Sequence, residues 1–163
     1  MTRPLFVNAW AAASRIYDPI NSGAKVAQII GGKVAANIAP NGKWKNTCAV
    51  RISYILNQSG MLIPYTPEKT VSGGNKQWHF YYVRDVIAFL RQRWGEADQI
   101  IKYPLNGKEL HNKKGLILFR VNGWVDADGH ATLWNGNTCY DQCYFNEPGI
   151  NYQTNEALFW ELK

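Results

Sequence analysis

The chain has 163 residues, 46% of them apolar, 13% aromatic and 18% charged, which suits one ordinary domain with a sizeable core and excludes a disordered, collagen-like or low-complexity polymer. Eighteen Lys and Arg against twelve Asp and Glu leave a net charge of +6, which favours an anionic partner without choosing among nucleic acid, membrane surface, acidic polymer and acidic protein. Three cysteines are present, so if two pair, one thiol is left to be explained.

In chain order, the apolar residues Phe6, Ala9, Trp10, Ala13, Ile16 and Tyr17 recur at helical spacing and are interrupted by Asn8, Ser14 and Arg15. This predicts a helix over residues 4–17, ended by Asp18-Pro19, and not a secretory signal. The best apolar run, residues 116–121, falls far short of the roughly 18 residues a membrane span needs, so the chain is expected to be soluble, made in the cytoplasm without a signal peptide and not inserted in a membrane. An amphipathic stretch over 24–38 carries Gly31-Gly32 in its middle and is expected to break there. Pro40-Asn41-Gly42 reads as a turn. Asn46 and Thr47 are candidate N-caps for a helix running to residue 56, with Ala49, Ile52 and Leu56 on one side and Gly60 beyond its end. Cys48 then falls in the first turn of that helix.

Residues 64–75, rich in Pro, Thr, Ser and Gly, read as a long loop. Residues 83–94 form the clearest helical pattern, with Gly95 placed to end it. From residue 116 the pattern turns to strands: 116–121, a turn at Asn122-Gly123, 129–134, a turn at Asn135-Gly136, and a closing strand over 157–162. Helices first and paired strands later predict a single α+β domain over residues 1–163, its helical N-terminal part packed on an antiparallel sheet.

Most free cysteines are small buried apolar residues, but the first turn of a helix favours the thiolate through its unpaired N–H groups and dipole, and the thiolate is the nucleophile. Such a nucleophile needs a histidine to take its proton and a third group to orient the histidine. His79 and His111 read as solvated or incidental. His130 opens a predicted strand in which it shares one face with Thr132 and Trp134. The Asn135-Gly136 turn brings the chain back, so Asp141 is placed to lie beside His130 on a neighbouring strand. Asp126 and Asp128 compete for that role from a Gly-containing turn, and Asp141 is preferred. Cys139 and Cys143 flank Asp141; a C-x3-C pair can bridge if the chain turns between its members, and zinc is the less economical alternative because no second ligand pair follows. No metal and no cofactor is expected.

The segments Asn46-Thr47-Cys48-Ala49-Val50-Arg51-Ile52-Ser53 and Gly129-His130-Ala131-Thr132-Leu133-Trp134-Asn135-Gly136, followed by Asp141, resemble the fourth subfamily of type VI secretion amidase effectors, bacterial toxins of the papain-like, NlpC-type superfamily. The resemblance implies a papain-like fold and a peptidoglycan amidase that cuts the stem peptide between D-glutamate and meso-diaminopimelate, with Cys48 as nucleophile, His130 as general base and acid, and Asp141 as the orienting acid. It also implies delivery by the type VI secretion machinery into a neighbouring cell's periplasm and an immunity protein that blocks the cleft in the producer. Two rivals stand beside it. One is a nucleic-acid-binding module, suggested by the charge and by the basic, aromatic segment 76–93. The other is an acyltransferase or transglutaminase-like enzyme sharing the Cys-His-Asp set.

Overall fold

A computed structural model describes every residue except Met1, Ala39, Asn41 and Asp126. The expected turn at 40–42 therefore lies partly outside the described residues. Four helices come first: α1 (Phe6–Ile16), α2 (Ser22–Ile30), α3 (Gly32–Asn37) and α4 (Cys48–Gln58). The amphipathic stretch breaks at Gly31-Gly32 as expected, because both glycines take positive φ, 67° and 60°, a region that costs a side chain energy. Their backbone packs directly on that of Gly73-Gly74: a Cβ on Gly32 would lie 2.4 Å from the Gly74 nitrogen, and the Gly74 N–H donates to Ile30 O at 2.8 Å. The glycines that made 64–75 read as a loop thus serve as a docking surface.

Helix α4 departs from the amphipathic expectation, since every residue from Cys48 to Asn57 is buried. It runs through the middle of the molecule and its polar residues are satisfied there, as burial demands. Ser53 Oγ donates to Ala49 O and accepts from the Phe80 N–H at 3.0 Å. Asn57 donates to Trp78 O at 2.8 Å and accepts from the Ile63 N–H at 2.9 Å. These bonds tie α4 to a hairpin of β1 (Thr70–Ser72) and β2 (Trp78–Phe80), whose strands are too short to show alternation in the sequence. Helix α5 (Val83–Trp94) follows and ends, as expected, at Gly95, whose N–H donates to Arg91 O.

His79, read from sequence as solvated, sits in β2 and is fully buried. Burial lowers its pKa from 6.5 to about 4, offset only in part by the neighbouring backbone of Val71 and Gln77. The unfolded chain takes up a proton on this ring as pH falls below 6.5, while the folded chain refuses it until about pH 4, so stability is lost as pH falls through that window. Relative to His79→Leu, the wild type is expected to lose about 3 kcal/mol between pH 7 and pH 4, read as the change in the difference between their urea unfolding free energies. A difference that stays flat over that range would contradict it.

The main sheet comprises β3 (Gln99–Lys102), β4 (Gly115–Asn122), β5 (Gly129–Trp134) and β6 (Gln153–Glu161), in the order β3-β6-β4-β5 and antiparallel throughout. Strand alternation divides the core. Leu116, Leu118, Ala131, Leu133, Leu158 and Trp160 face the helices, while Ile117, Phe119, Trp134, Ala157 and Phe159 face a second cluster with Phe145 on the other side. The closing strand starts at Gln153, earlier than expected, and lies between β3 and β4. Residues 123–128 connect β4 to β5, longer than the two-residue turn expected at Asn122-Gly123. Strand β5 is an edge, and what lies along that edge builds the site.

Candidate active site

The cysteine is placed by a cap. Asn46 Oδ1 accepts from the Cys48 N–H at 2.9 Å, and Thr47 O accepts from the Arg51 N–H at 2.8 Å to begin α4, so one of the two anticipated capping side chains bonds at the helix start. Cys48 is buried, with Sγ 3.8 Å from Gly129 O, directly against the first residues of β5.

The partner residues come from the chain's return along the edge of β5. Asn135 Oδ1 accepts from the N–H groups of Asn137 and Thr138, and Gly136 takes φ 102°, which closes the turn. Cys139 then bridges Trp134 and the Tyr140 N–H donates to Leu133 O at 3.2 Å. Continuing that register sets Asp141 opposite Thr132 and diagonal to His130. Thr132 Oγ1 donates to Asp141 Oδ1 at 2.5 Å, the Gln142 N–H donates to the same oxygen at 2.6 Å, and His130 Nε2 lies 3.0 Å from Asp141 Oδ2. With Nε2 turned to the carboxylate, Nδ1 is left for the thiol. A disulfide joins Cys139 to Cys143, their Cα atoms 5.5 Å apart, and clamps the three residues that contain Asp141. Cys48 is the free thiol.

Electrostatics follow from this packing. Burial alone pushes the Cys48 thiol up, but the hydrogen bond and charge of His130, a backbone bond at Ala131 and the charge of Arg51 outweigh it, and its pKa is lowered. Burial alone pulls His130 down, yet the charge and hydrogen bond of Asp141, then Cys48, raise it to about 9. Burial pushes the Asp141 carboxyl up, and His130, Arg51 and Thr132 together carry it far below the usual carboxylate range. The packing thus lowers the proton affinity of the thiol and raises that of the imidazole, the direction that favours a thiolate-imidazolium pair.

Two cavities of about 320 Å³ each adjoin at Lys45 and Asn46. One is lined by Tyr17, His130, Asp141 and Tyr144, the other by Trp44, Cys48, Tyr81 and Asp128. Trp44 lines this groove, stacked on Tyr81 at 5.4 Å between centroids. Trp134 is a core residue whose Nε1–H donates to Leu110 O, and Trp78 packs on Tyr65. Asp128 stands in the Cys48 cavity, whereas Asp141 is the carboxylate against His130; Asp126 lies outside the described residues. His111 is exposed and lines neither cavity, whereas His130 bonds Cys48, so His130 is the histidine brought to the thiol. In the basic segment, Arg84 stacks on Tyr82 and Arg91 pairs with Glu96, which are contacts within one protein surface. Sequence reasoning missed Arg51, Thr132, Tyr140 and Tyr144. The available signal for Arg51 was an arginine one turn along from Cys48 on a helix otherwise almost free of charge.

Helices packed on an antiparallel sheet, with a cysteine at a helix start facing a histidine on an edge strand, form the α+β layout implied by the papain-like resemblance. Residues 44–160 match the sequence model of the family described as type VI secretion system amidase effector protein 4, Tae4. Solved structures agree. The Tae4 of the Enterobacter cloacae Tae4-Tai4 effector-immunity complex superposes with a TM-score of 0.89 at 38% identity, covering 99% of this chain and 100% of that one. Tae4 from Salmonella typhimurium, solved in complex with the immunity protein Tai4 from Enterobacter cloacae, gives 0.88 at 36% identity over 99% and 100% of the two chains. Tae4 from Enterobacter cloacae without Tai4 gives 0.87 at 37% identity over 99% and 98%. No curated protein matches. The chain belongs to the Tae4 family of type VI secretion amidase effectors.

Proposed function

We propose that this amidase effector is a cysteine hydrolase of peptidoglycan that cuts the D-glutamyl–meso-diaminopimelate amide of the stem peptide, using Cys48, His130 and Asp141. The observation that carries the reading is the buried chain of contacts from Cys48 through His130 to Asp141 at the groove, in a member of an amidase family. With the shared proton held on His130 Nδ1, the Cys48 thiolate adds to the amide carbonyl. The carbon–nitrogen bond then breaks as the His130 imidazolium protonates the leaving amine, which leaves a thioester. Water attacks the thioester, His130 takes its proton, and the carbon–sulfur bond breaks to restore the thiolate and imidazolium. The Cys48 N–H is a natural oxyanion donor. It is engaged by Asn46 Oδ1 in the free protein, so the substrate carbonyl has to take that oxygen's place.

In this reading the protein is carried by the type VI secretion machinery into the periplasm of a competitor, and an immunity protein covers the groove in the producer, as the Tai4 complexes of its relatives suggest. The +6 charge suits a substrate that carries carboxylates. Iodoacetamide applied to the oxidised protein is expected to add one group, at Cys48, and to abolish release of muropeptides from Gram-negative sacculi. Full release by protein alkylated at Cys48 would overturn the proposal.

A further inference from the structure

Arg51 is charged, buried and unused by the mechanism above, although it stands one turn of α4 from Cys48. Its side chain is 7% exposed and that of Asp141 2%. Nη1 donates to Asp141 Oδ2 at 2.8 Å and to the Tyr140 hydroxyl at 2.9 Å, and Nε donates to Thr47 Oγ1 at 3.3 Å. The rings of Tyr17 and Tyr140, themselves 5.5 Å apart, lie 5.0 and 5.8 Å from the guanidinium carbon, so aromatic packing adds to the bonds at Nη1 and Nε in holding the side chain. Oδ2 of Asp141 is therefore shared between Arg51 and His130, while Oδ1 is taken by Thr132 and Gln142.

We infer that Arg51 is a positioning residue for the cysteine-histidine pair, fixing Asp141 as a carboxylate aimed at His130 and completing an alternation of charge from thiolate to imidazolium to carboxylate to guanidinium. The inference rests on the proposed function for its catalytic meaning. Its physical content is separate. With Arg51 the four groups sum to zero charge whether the shared proton sits on sulfur or on nitrogen, so proton transfer within the pair leaves no net charge buried. Without it the site carries a net negative charge, and a lost positive charge raises the proton affinity of each neighbour: Cys48, His130 and Asp141 alike. A thiol that ionises later is the weaker nucleophile near neutral pH, and an imidazolium that holds its proton more tightly is the weaker acid toward the leaving amine.

Among the described residues, the other titratable groups around the pair are Lys45, Tyr144 and Tyr17 in one cavity and Lys43, Asp128, Tyr81 and Tyr82 in the other, with Tyr140 on Arg51 itself. All of them remain in the variants, so a displacement of the titration reports Arg51. The test is the rate of Cys48 alkylation by iodoacetamide against pH, which needs no peptidoglycan. Arg51→Gln keeps a donor toward Asp141 and loses the charge. Its alkylation profile is expected to move to higher pH by about 1 unit or more, with slower alkylation near neutral pH. Arg51→Lys keeps the charge and loses the fork, and its profile is expected to stay near that of the wild type while muropeptide release slows. A folded Arg51→Gln protein with the wild-type profile overturns the inference. If Arg51→Gln does not fold, an Arg51→Lys profile displaced by a unit or more overturns it instead, because the titration is assigned to the charge, which lysine keeps, and only the slower release to the lost fork. A wild-type thiol that titrates like free cysteine would defeat the cysteine-histidine reading itself, which separates that failure from this one.

Discussion

Cys48→Ala is expected to lower muropeptide release by about 10⁴-fold or more, because the nucleophile and the leaving-group acid act as one unit and removing the first idles the second. Its effect on stability should be small by comparison. The sulfur is buried against the backbone of Gly129 and Ala131 near the start of a helix whose capping bond, from the Cys48 N–H to Asn46 Oδ1, does not involve the sulfur. Removing one atom there costs on the order of 1 kcal/mol, a few degrees in melting temperature. Activity and thermal unfolding measured on the same preparation separate the two effects. A folded Cys48→Ala protein that keeps full activity would contradict the assignment of the nucleophile.

Asp141→Asn is expected to cost about 10³-fold or more in turnover. The amide keeps an oxygen for Arg51 or for His130 but brings no negative charge, and that charge is what lifts His130 to about 9 against burial. Without it burial prevails, the imidazolium loses its proton at lower pH, and the alkaline limb of the activity profile should move down from near pH 9. Asp128→Asn changes a carboxylate in the Cys48 cavity and should retain turnover within about tenfold. If Asp128→Asn abolishes turnover and Asp141→Asn does not, the wrong carboxylate has been chosen.

How far the sequence reveals this arrangement depends on the range of the forces involved. Cys48 at a helix start, the break at Gly31-Gly32 and the stop at Gly95 are local signals, decided by caps and by glycine φ, and they are legible. Asp141 was also within reach, since the Asn135-Gly136 turn fixes how the chain returns along β5 and five residues set the register. The burial of the whole of α4 was not legible, because what covers its far side is a hairpin of two three-residue strands too short to carry a period. The same hairpin hides His79, whose neighbours in sequence are aromatic and polar alike. Arg51 met Asp141 across ninety positions, and no spacing in a single sequence encodes which of twelve acidic residues an arginine will find.

Mass spectrometry of Gram-negative sacculi digested by the wild-type protein in ¹⁸O-water reads the broken bond and the acyl acceptor together. Hydrolysis at the proposed amide yields fragments ending in a D-glutamyl carboxylate that carries one heavy oxygen, together with fragments beginning at a free diaminopimelate amine. Cleavage at another bond, or a D-glutamyl carbonyl joined to a new amine without heavy oxygen, would contradict the proposed hydrolysis.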